Sequence, residues 1–429
     1  MTDLFTNHRR FADLDDWHRE VDATRADGNV HYIDRTADDF PPFWAVIGLE
    51  EVLAVERQAS MFTNEPLAVL ATRSDTAATE ASGTNLRSLV QMDPPDHPKY
   101  RQLTADWFRP AALARLQDRL DDLSTQAIAR MEAADGSCDF SKDVAVWYPL
   151  AVILEILGHA EADYTRMLQL TQELFGATDD DIGRGGIEGL IEVILDFFRY
   201  FGELTAERRA HPNTDLASLI ANGQIDGKPL PDVELMSYYV IIAAAGHDTT
   251  SSAMSGGMQA LIDHPDALVR LQKDPDLITT AVDEMIRWVS PVRHFLRTAQ
   301  DDTEIGGTKI AKGELVYLSY LAANRDPQVF ADPHRFDVGR HNADRHVAFG
   351  FGAHFCLGAQ LARMEMRTLF RDLVPRLRSV ELAGQPRSMK TIFVGGTNSL
   401  PIRYDLVPGL SADRPAASPT WPERGDRRS

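Results

Sequence analysis

Cys356 stands in the stretch Phe349-Gly350-Phe351-Gly352-Ala353-His354-Phe355-Cys356-Leu357-Gly358, just ahead of a strongly helical run. A thiolate there needs shielding, backbone N–H groups near its sulfur, and room for a flat ligand. The glycines would supply that room, since they lack a side chain and tolerate unusual backbone angles. A following helix N-terminus stabilises a thiolate through its dipole. Cysteine thiolate is one of the few protein ligands of haem iron, where it pushes electron density towards O–O cleavage. The same residues also fit a buried, inert cysteine beside a glycine turn.

A second unusual stretch is Ala243-Ala244-Ala245-Gly246-His247-Asp248-Thr249-Thr250. It lies mid-way in a helical pattern over about 232–263, which opens after Pro231 and stops at His264-Pro265. At ~1.5 Å per residue this helix would span roughly 48 Å. A mid-helix glycine costs roughly 1 kcal/mol against alanine. Asp and Thr compete for backbone hydrogen bonds, and a threonine bonded back to the carbonyl four residues earlier can bend a helix. The small residues Ala244, Ala245 and Gly246 would let a flat ligand approach closely. A kinked core helix with a packing notch is the alternative. Broken local preferences are also what functional sites tend to show.

Three further clusters are weaker alone. Glu284-Met285-Ile286-Arg287 places a carboxylate and a guanidinium one helical turn apart. Met92-Asp93-Pro94-Pro95-Asp96-His97-Pro98-Lys99-Tyr100-Arg101 reads as a turn entering a helix. Ala323-Asn324-Arg325-Asp326-Pro327 precedes Phe330-Ala331-Asp332-Pro333-His334-Arg335-Phe336.

The elements that must position these groups are mostly helical. Apolar residues recur at helical spacing over 111–133, 144–157 and 186–208. Strand-like runs are short: 30–33, 43–47, 303–305 and 315–318. A C-terminal pair, 392–394 and 400–404, flanks Gly395-Gly396-Thr397-Asn398, which reads as a hairpin turn. Residues 1–408 read as one body, and 409–429, rich in Pro, Ala, Ser and charge, as a disordered tail.

Bulk properties exclude several classes. The chain has 429 residues and a net charge of −20, against nucleic-acid binding. No apolar run of about 18 residues marks a membrane span. The N-terminus lacks the basic and apolar regions of a signal peptide. Two cysteines give no disulfide framework, so a reducing cytoplasm is expected, and Cys138, in a polar stretch, looks incidental.

Together the motifs resemble the cytochrome P450 family, in order, from about Phe43 to Tyr404. Phe349, Gly352, Cys356 and Gly358 fill its Phe-x-x-Gly-x-x-x-Cys-x-Gly loop. Ala245, Gly246, Asp248, Thr249 and Thr250 fill its oxygen-activation motif. The resemblance implies a mainly α fold with small β-sheets, a single triangular haem-enclosing domain, and monooxygenase activity on haem b. Cys356 would be the iron ligand. Thr249 would hydrogen-bond the bound dioxygen or its water, and Asp248 would relay protons. His97, Arg101, Arg297 and His354 would hold haem propionates, with Ala245, Phe349 and Gly358 beside the ring. Glu284 and Arg287 would lock structurally to Arg340. His247, at the motif's variable position, receives no role.

The family's topology suggests pocket walls from Phe62, Leu67, Val69, Leu70, Ala244, Phe175, Phe197, Val292, Phe295, Leu296, Phe393 and Val394. Many of these would simply be core. The stretches 245–252 and 393–396 look like the terpineol-oxidising bacterial branch. A terpenoid substrate is therefore expected. Steroids, fatty acids and aromatic hydrocarbons are the alternatives within the family. A non-catalytic haem- or lipid-binding protein and a peroxide-using or rearranging variant are weighed as other classes. The acid–alcohol pair Asp248/Thr249 speaks against both. The implied partners are O2, a ferredoxin and an NAD(P)H-dependent ferredoxin reductase, acting on a monomer. Lys99, Arg109, Arg340, Arg345, Arg363 and Arg367 would form a basic docking patch on the cysteine side. Scattered solvated charges are the alternative.

Overall fold

The computed structural model describes residues 3–34, 39–83, 86–158, 163–175 and 183–407. The tail 409–429, with its expected disorder, lies outside the described residues. Helices dominate, with small sheets at their edges.

The central helix runs unbroken over Asp232–Asp263. Asp232 and Glu234 in its first turn complement the helix dipole. The polar run at 247–250 does not interrupt it. Thr249 donates its hydroxyl proton to the Ala245 carbonyl at 3.0 Å, which satisfies the side chain inside the helix. The helix is buried along most of its length because other helices clasp it. A Cβ at Gly246 would lie 2.8 Å from Ile153 Cδ1 on the helix Trp147–Ile156. At Gly256 it would lie 2.5 Å from Val289 Cγ2, and at Gly257 2.8 Å from Met285 Sδ, both on the helix Ile278–Val289. Gly246 thus makes room for a neighbouring helix, and it also lines the cavity where the flat ligand was expected.

The main sheet has five strands in the order Val30–Ile33, Phe43–Val46, Leu315–Ser319, His294–Ala299 and Phe62–Thr63. The second and third pair in parallel and the other neighbours antiparallel. Alternation along His294–Ala299 decides which residues reach the site. Phe295 and Arg297 point to the cavity, while Leu296 is fully buried in the core behind it.

Some expected elements divide differently. Residues 111–133 are a helix Pro110–Leu113, a 3-10 turn Ala114–Leu116 and a helix Gln117–Glu132. A π-helical turn, Ser141–Ala145, precedes Trp147–Ile156. The C-terminal hairpin does not form, because each half has a better partner elsewhere. Val394 bridges to Val292, Thr397–Ser399 pairs with Arg387–Ser388, and Pro401–Leu406 runs between Leu377–Leu382 and Ser137–Asp139. Cys138, in that last strand opposite Ile402, is a buried core residue despite its polar neighbours.

A buried charge cluster fixes the approach to the cysteine loop. Arg287 donates to Glu284 through Nε at 2.6 Å and Nη2 at 2.8 Å. Arg340 Nε reaches both carboxylate oxygens at 3.1 Å. Glu284 and Arg287 are fully buried, so each depends on the others for solvation. Arg287 also donates to the Asn324 carbonyl, and Asn324 Oδ1 accepts the Val347 N–H at 2.7 Å. Asp326 accepts the first N–H of the helix Leu49–Glu56 at 2.8 Å. The Asn-Arg-Asp stretch therefore ties three segments behind the loop.

Candidate active site

Cys356 opens into a cavity walled by the central helix, the strand His294–Ala299 and the cysteine loop. Its backbone N–H bonds the Phe349 carbonyl at 2.8 Å, which closes the loop on itself. Burial by protein atoms pushes the thiol pKa up, while the N–H groups of Gly358 and Ala359 and the cations Arg101 and Arg363 pull it down. Those two N–H groups open the helix Ala359–Leu373, so the helix start stabilises negative charge on sulfur.

The loop glycines divide their work. A Cβ on Gly358 would meet nothing within 4 Å, so this residue leaves open space on the cavity side. Gly352 has φ 68°, and a Cβ there would lie 2.5 Å from the Glu56 carbonyl oxygen. Its bareness accommodates the end of the helix Leu49–Glu56 rather than a ligand.

His97, Arg101, Arg297, His354, Phe349, Ala245, Gly358 and Cys356 all line this one cavity. The rings of His97 and His354 lie 4.1 Å apart. Burial, helped by Arg101, lowers the His97 pKa to about 4. Burial, helped by His97, Arg297 and Arg101, lowers that of His354 to about 2. Nε2 of each ring is buried without a hydrogen-bond partner. Arg101 spends one donor on the Phe355 carbonyl at 2.7 Å. Arg297 donates to the Leu296 carbonyl at 2.8 Å and to Glu56 at 3.2 Å. Orphaned buried polar atoms are costly, and here two of them share a space with two guanidiniums. That donor set suits carboxylates, and with the thiol in the same cavity it fits haem with its propionates.

Thr249 faces the same space from the central helix. Asp248 does not line it. Asp248 lies behind the wall, and burial raises its carboxyl well above the usual range. Burial thus favours the protonated carboxyl, the form able to give up a proton. Its Oδ2 has no partner, and its Oδ1 lies 3.1 Å from Nε2 of the fully buried His247. Burial drives His247 to about 3, so this ring is neutral.

Of the expected substrate walls, Val292 and Phe295 line the cavity. Ala244, Phe393 and Val394 do not. Ala244 is buried in the helix packing, Val394 pairs behind Val292, and Phe393 packs against Phe295 and Phe175. Phe62, Leu70, Phe197 and Leu296 are core. The walls that sequence reasoning did not name include Ile153, Ile241 and Ile242. A signal for two of them was available. Ile241, Ile242, Ala245, Thr249 and Ala253 fall on one face of the central helix at three- and four-residue steps.

The expected basic patch is largely neutralised. Lys99 pairs with Asp226, Arg109 with Asp106 and Arg345 with Glu50. Arg363 and Arg367 share Asp283, and Arg340 is buried on Glu284. What the cysteine loop presents outward is Phe351 and Phe355, exposed at 40% and 38%, with Arg57 stacked over Phe351.

The Cytochrome P450 family model matches residues 188–403. Cytochrome P450-terp of a Pseudomonas species is 39% identical over 381 residues, 86% of this chain and 89% of that protein. The crystal structure of CYP108D1 from Novosphingobium aromaticivorans superposes with a TM-score of 0.87 at 40% identity, covering 94% of this chain and 98% of that one. A Mycobacterium marinum cytochrome P450, CYP268A2, solved with pseudoionone, gives 0.86 at 31% identity, covering 92% and 96%. A thiol and a helix threonine lining one cavity and these likenesses converge: the chain belongs to the cytochrome P450 family of haem-thiolate monooxygenases.

Proposed function

We propose that this monooxygenase hydroxylates a small hydrophobic terpenoid, taking electrons from a soluble ferredoxin and its NAD(P)H-dependent reductase, as a cytoplasmic monomer. The observation that carries the reaction type is the Cys356 thiol, flanked by the Gly358 and Ala359 N–H groups, in the same cavity as Thr249. The substrate class rests on the walls. Leu89, Val90, Ile153, Ile241, Ile242, Val292 and Phe295 offer no charge to a ligand. Among the described residues no helix is long and apolar enough to cross a membrane.

When bound, haem supplies the redox centre at which O2 is activated. Cys356 would hold it as a thiolate. His97, Arg101, Arg297 and His354 would hold its carboxylates, the histidines gaining protons as those charges arrive. In the same cavity the Thr249 hydroxyl donates to the Ala245 carbonyl. Its lone pairs are left to accept a proton and its rotor to pass one on. Asp248, whose protonated form burial favours, would resupply that proton from behind. Apolar walls keep other water out.

The test is spectroscopic. The reduced protein with carbon monoxide should show the strongly red-shifted Soret band of thiolate ligation, and Cys356→Ser should lose it. A band without that shift overturns the reading. A binding-spectrum screen over terpenoids, steroids, fatty acids and aromatic hydrocarbons then tests the substrate. Tightest binding in any class other than terpenoids displaces that part.

A further inference from the structure

Glu56 is the last residue of the helix Leu49–Glu56 and lies directly behind the wall where Arg297 and Tyr320 face the cavity. Its side chain is 1% exposed. One carboxylate oxygen takes both bonds, from Arg297 Nη2 at 3.2 Å and from the Tyr320 hydroxyl. The other, Oε2, is buried and has no hydrogen bond of good geometry, the Phe351 N–H being the one further donor that acts on the carboxylate. The chain cannot draw back from it. A Cβ on Gly350 would stand 3.5 Å from Glu56 Oε1, and the Gly352 backbone is already against the Glu56 carbonyl. The helix end is thus clamped to the cysteine loop.

A buried carboxylate with one cation and one oxygen lacking a good hydrogen bond is poorly compensated. That cation is also one of the four donors placed for the haem carboxylates. A carboxylate entering from the cavity and the Glu56 carboxylate must then divide one guanidinium between them. Like charges sharing a site push one member to the protonated form. Any further negative charge on the cofactor adds to that pressure, because screening is weak in the interior.

We propose that Glu56 is a proton-exchanging positioning residue: it holds Arg297 on the cavity wall and takes up a proton from solvent when the haem gains an electron. The proposal rests on the haem-thiolate reading above. One electron from an external reductant converts ferric to ferrous iron, and one proton goes to the Glu56 carboxylate, so net charge in the pocket is conserved. The isolated pocket already leans that way. Burial raises the Glu56 pKa to about 7, against the lowering effects of Arg297, Tyr320 and the Phe351 N–H. The other ionisable groups around it are few. Arg297 comes from the strand His294–Ala299, Tyr320 from the segment after Leu315–Ser319, and His354 from the cysteine loop. Glu304 sits on the exposed side of the neighbouring strand Thr303–Ile305. On its own helix Glu50 is exposed and pairs with Arg345, Glu51 accepts from Asn29, and the adjoining Arg57 stacks on Phe351. Among these, His354, with its neighbour His97, is the rival source of a pH effect.

The test is a spectroelectrochemical titration of the haem midpoint potential in the whole holoprotein across the neutral range. The wild-type potential should fall as pH rises. The reduction constant should drop by up to about tenfold per pH unit, which is about 59 mV for a one-electron couple. Glu56→Gln keeps the acceptor for Tyr320 and Arg297 but cannot ionise. Its potential should stay flat at the wild-type low-pH value. A flat wild-type profile overturns the proposal, and so does a slope retained in Glu56→Gln, which would assign it to the histidines. If that variant does not take up haem, Tyr320→Phe serves. Loss of its donated bond should move the wild-type fall to higher pH, and no movement overturns the proposal. A reduced carbon monoxide spectrum without the thiolate shift removes the family reading first, before any potential is measured.

Discussion

Removing the Glu284 carboxylate should cost more stability than any surface ion pair could. Glu284 accepts five bonds: two from Arg287, two from Arg340 Nε and one from the Asp337 N–H at 2.9 Å. Glu284→Ala leaves two guanidiniums, 0% and 7% exposed on their side chains, without a counter-charge. Breaking a buried pair from one side costs about 3–5 kcal/mol, against about 0–1 kcal/mol for an exposed pair. The upper part of that range is not exceeded because carbonyls remain. Arg287 keeps Asn324 and Pro333, and Arg340 keeps Ala331, Asp332 and Arg335. Taking roughly 2.1 cal/mol/K per residue for the unfolding entropy, this chain has about 0.9 kcal/mol/K. The loss then corresponds to a Tm lower by about 3–6 °C. Calorimetry of the holoprotein reads this shift, and Glu284→Gln, which keeps one acceptor oxygen, should fall between. The cysteine loop hangs from this cluster, so the haem band should broaden at temperatures below the main transition. A Tm within about 1 °C of wild type would refute the claim that these charges depend on one another for solvation.

Other outcomes follow from the site. Thr249→Ala should still bind haem but divert reducing equivalents to peroxide, and product per NAD(P)H consumed reads this; tight coupling would remove Thr249 from proton delivery. Asp248→Asn should slow turnover by about 10²–10⁴-fold with the carbon monoxide band unchanged, and wild-type rates would refute a role as acid. His294 accepts the Leu70 N–H at Nε2, 3.1 Å, and its Nδ1 meets the Ile392 carbonyl at 3.0 Å, so only the neutral ring fits. Burial lowers its pKa to about 3. Stability from this group is full above the unfolded pKa of about 6.5 and is lost as pH falls towards 3, at up to ~1.4 kcal/mol per pH unit. His294→Phe should flatten that part of the acid-unfolding curve, and an unchanged curve would place the acid sensitivity elsewhere. Ile241→Phe should narrow the cavity and weaken spectral binding of the bulkiest ligands first; equal losses for all sizes would argue against Ile241 as a substrate wall.

The chemistry-bearing residues were legible because their types are constrained by what they do. A thiolate beside glycines, or a threonine and an acid inside an otherwise apolar helix, has few other uses. Tertiary partners were not legible. Nothing in the local sequence of Glu56 marks it as Arg297's counter-ion, because 241 positions separate them. Gly352 looked like a ligand clearance and proved to be a clearance for the Glu56 backbone, while Gly246 lines the cavity and also clears Ile153. The sequence contains the absence of a side chain but not the object that fills the space. The same blindness misjudged Arg363. Its charge counts toward a patch until Asp283 is found 2.6 Å away. Phe393 and Val394 failed differently, since the turn that should have aimed them was spent on other strands.

The notches at Gly256 and Gly257 reach further than their position suggests. They set how near the helix Ile278–Val289 lies to the central helix, and Ile286 of that helix lines the cavity. Neither glycine touches the cavity itself. A methyl group added at either would wedge the two helices apart and carry Ile286 with it. The room available to a substrate is thus adjustable from the rear of the wall. A library confined to residues 256, 257, 285 and 289 would resize the chamber while leaving Ile241, Ile242 and Thr249 untouched.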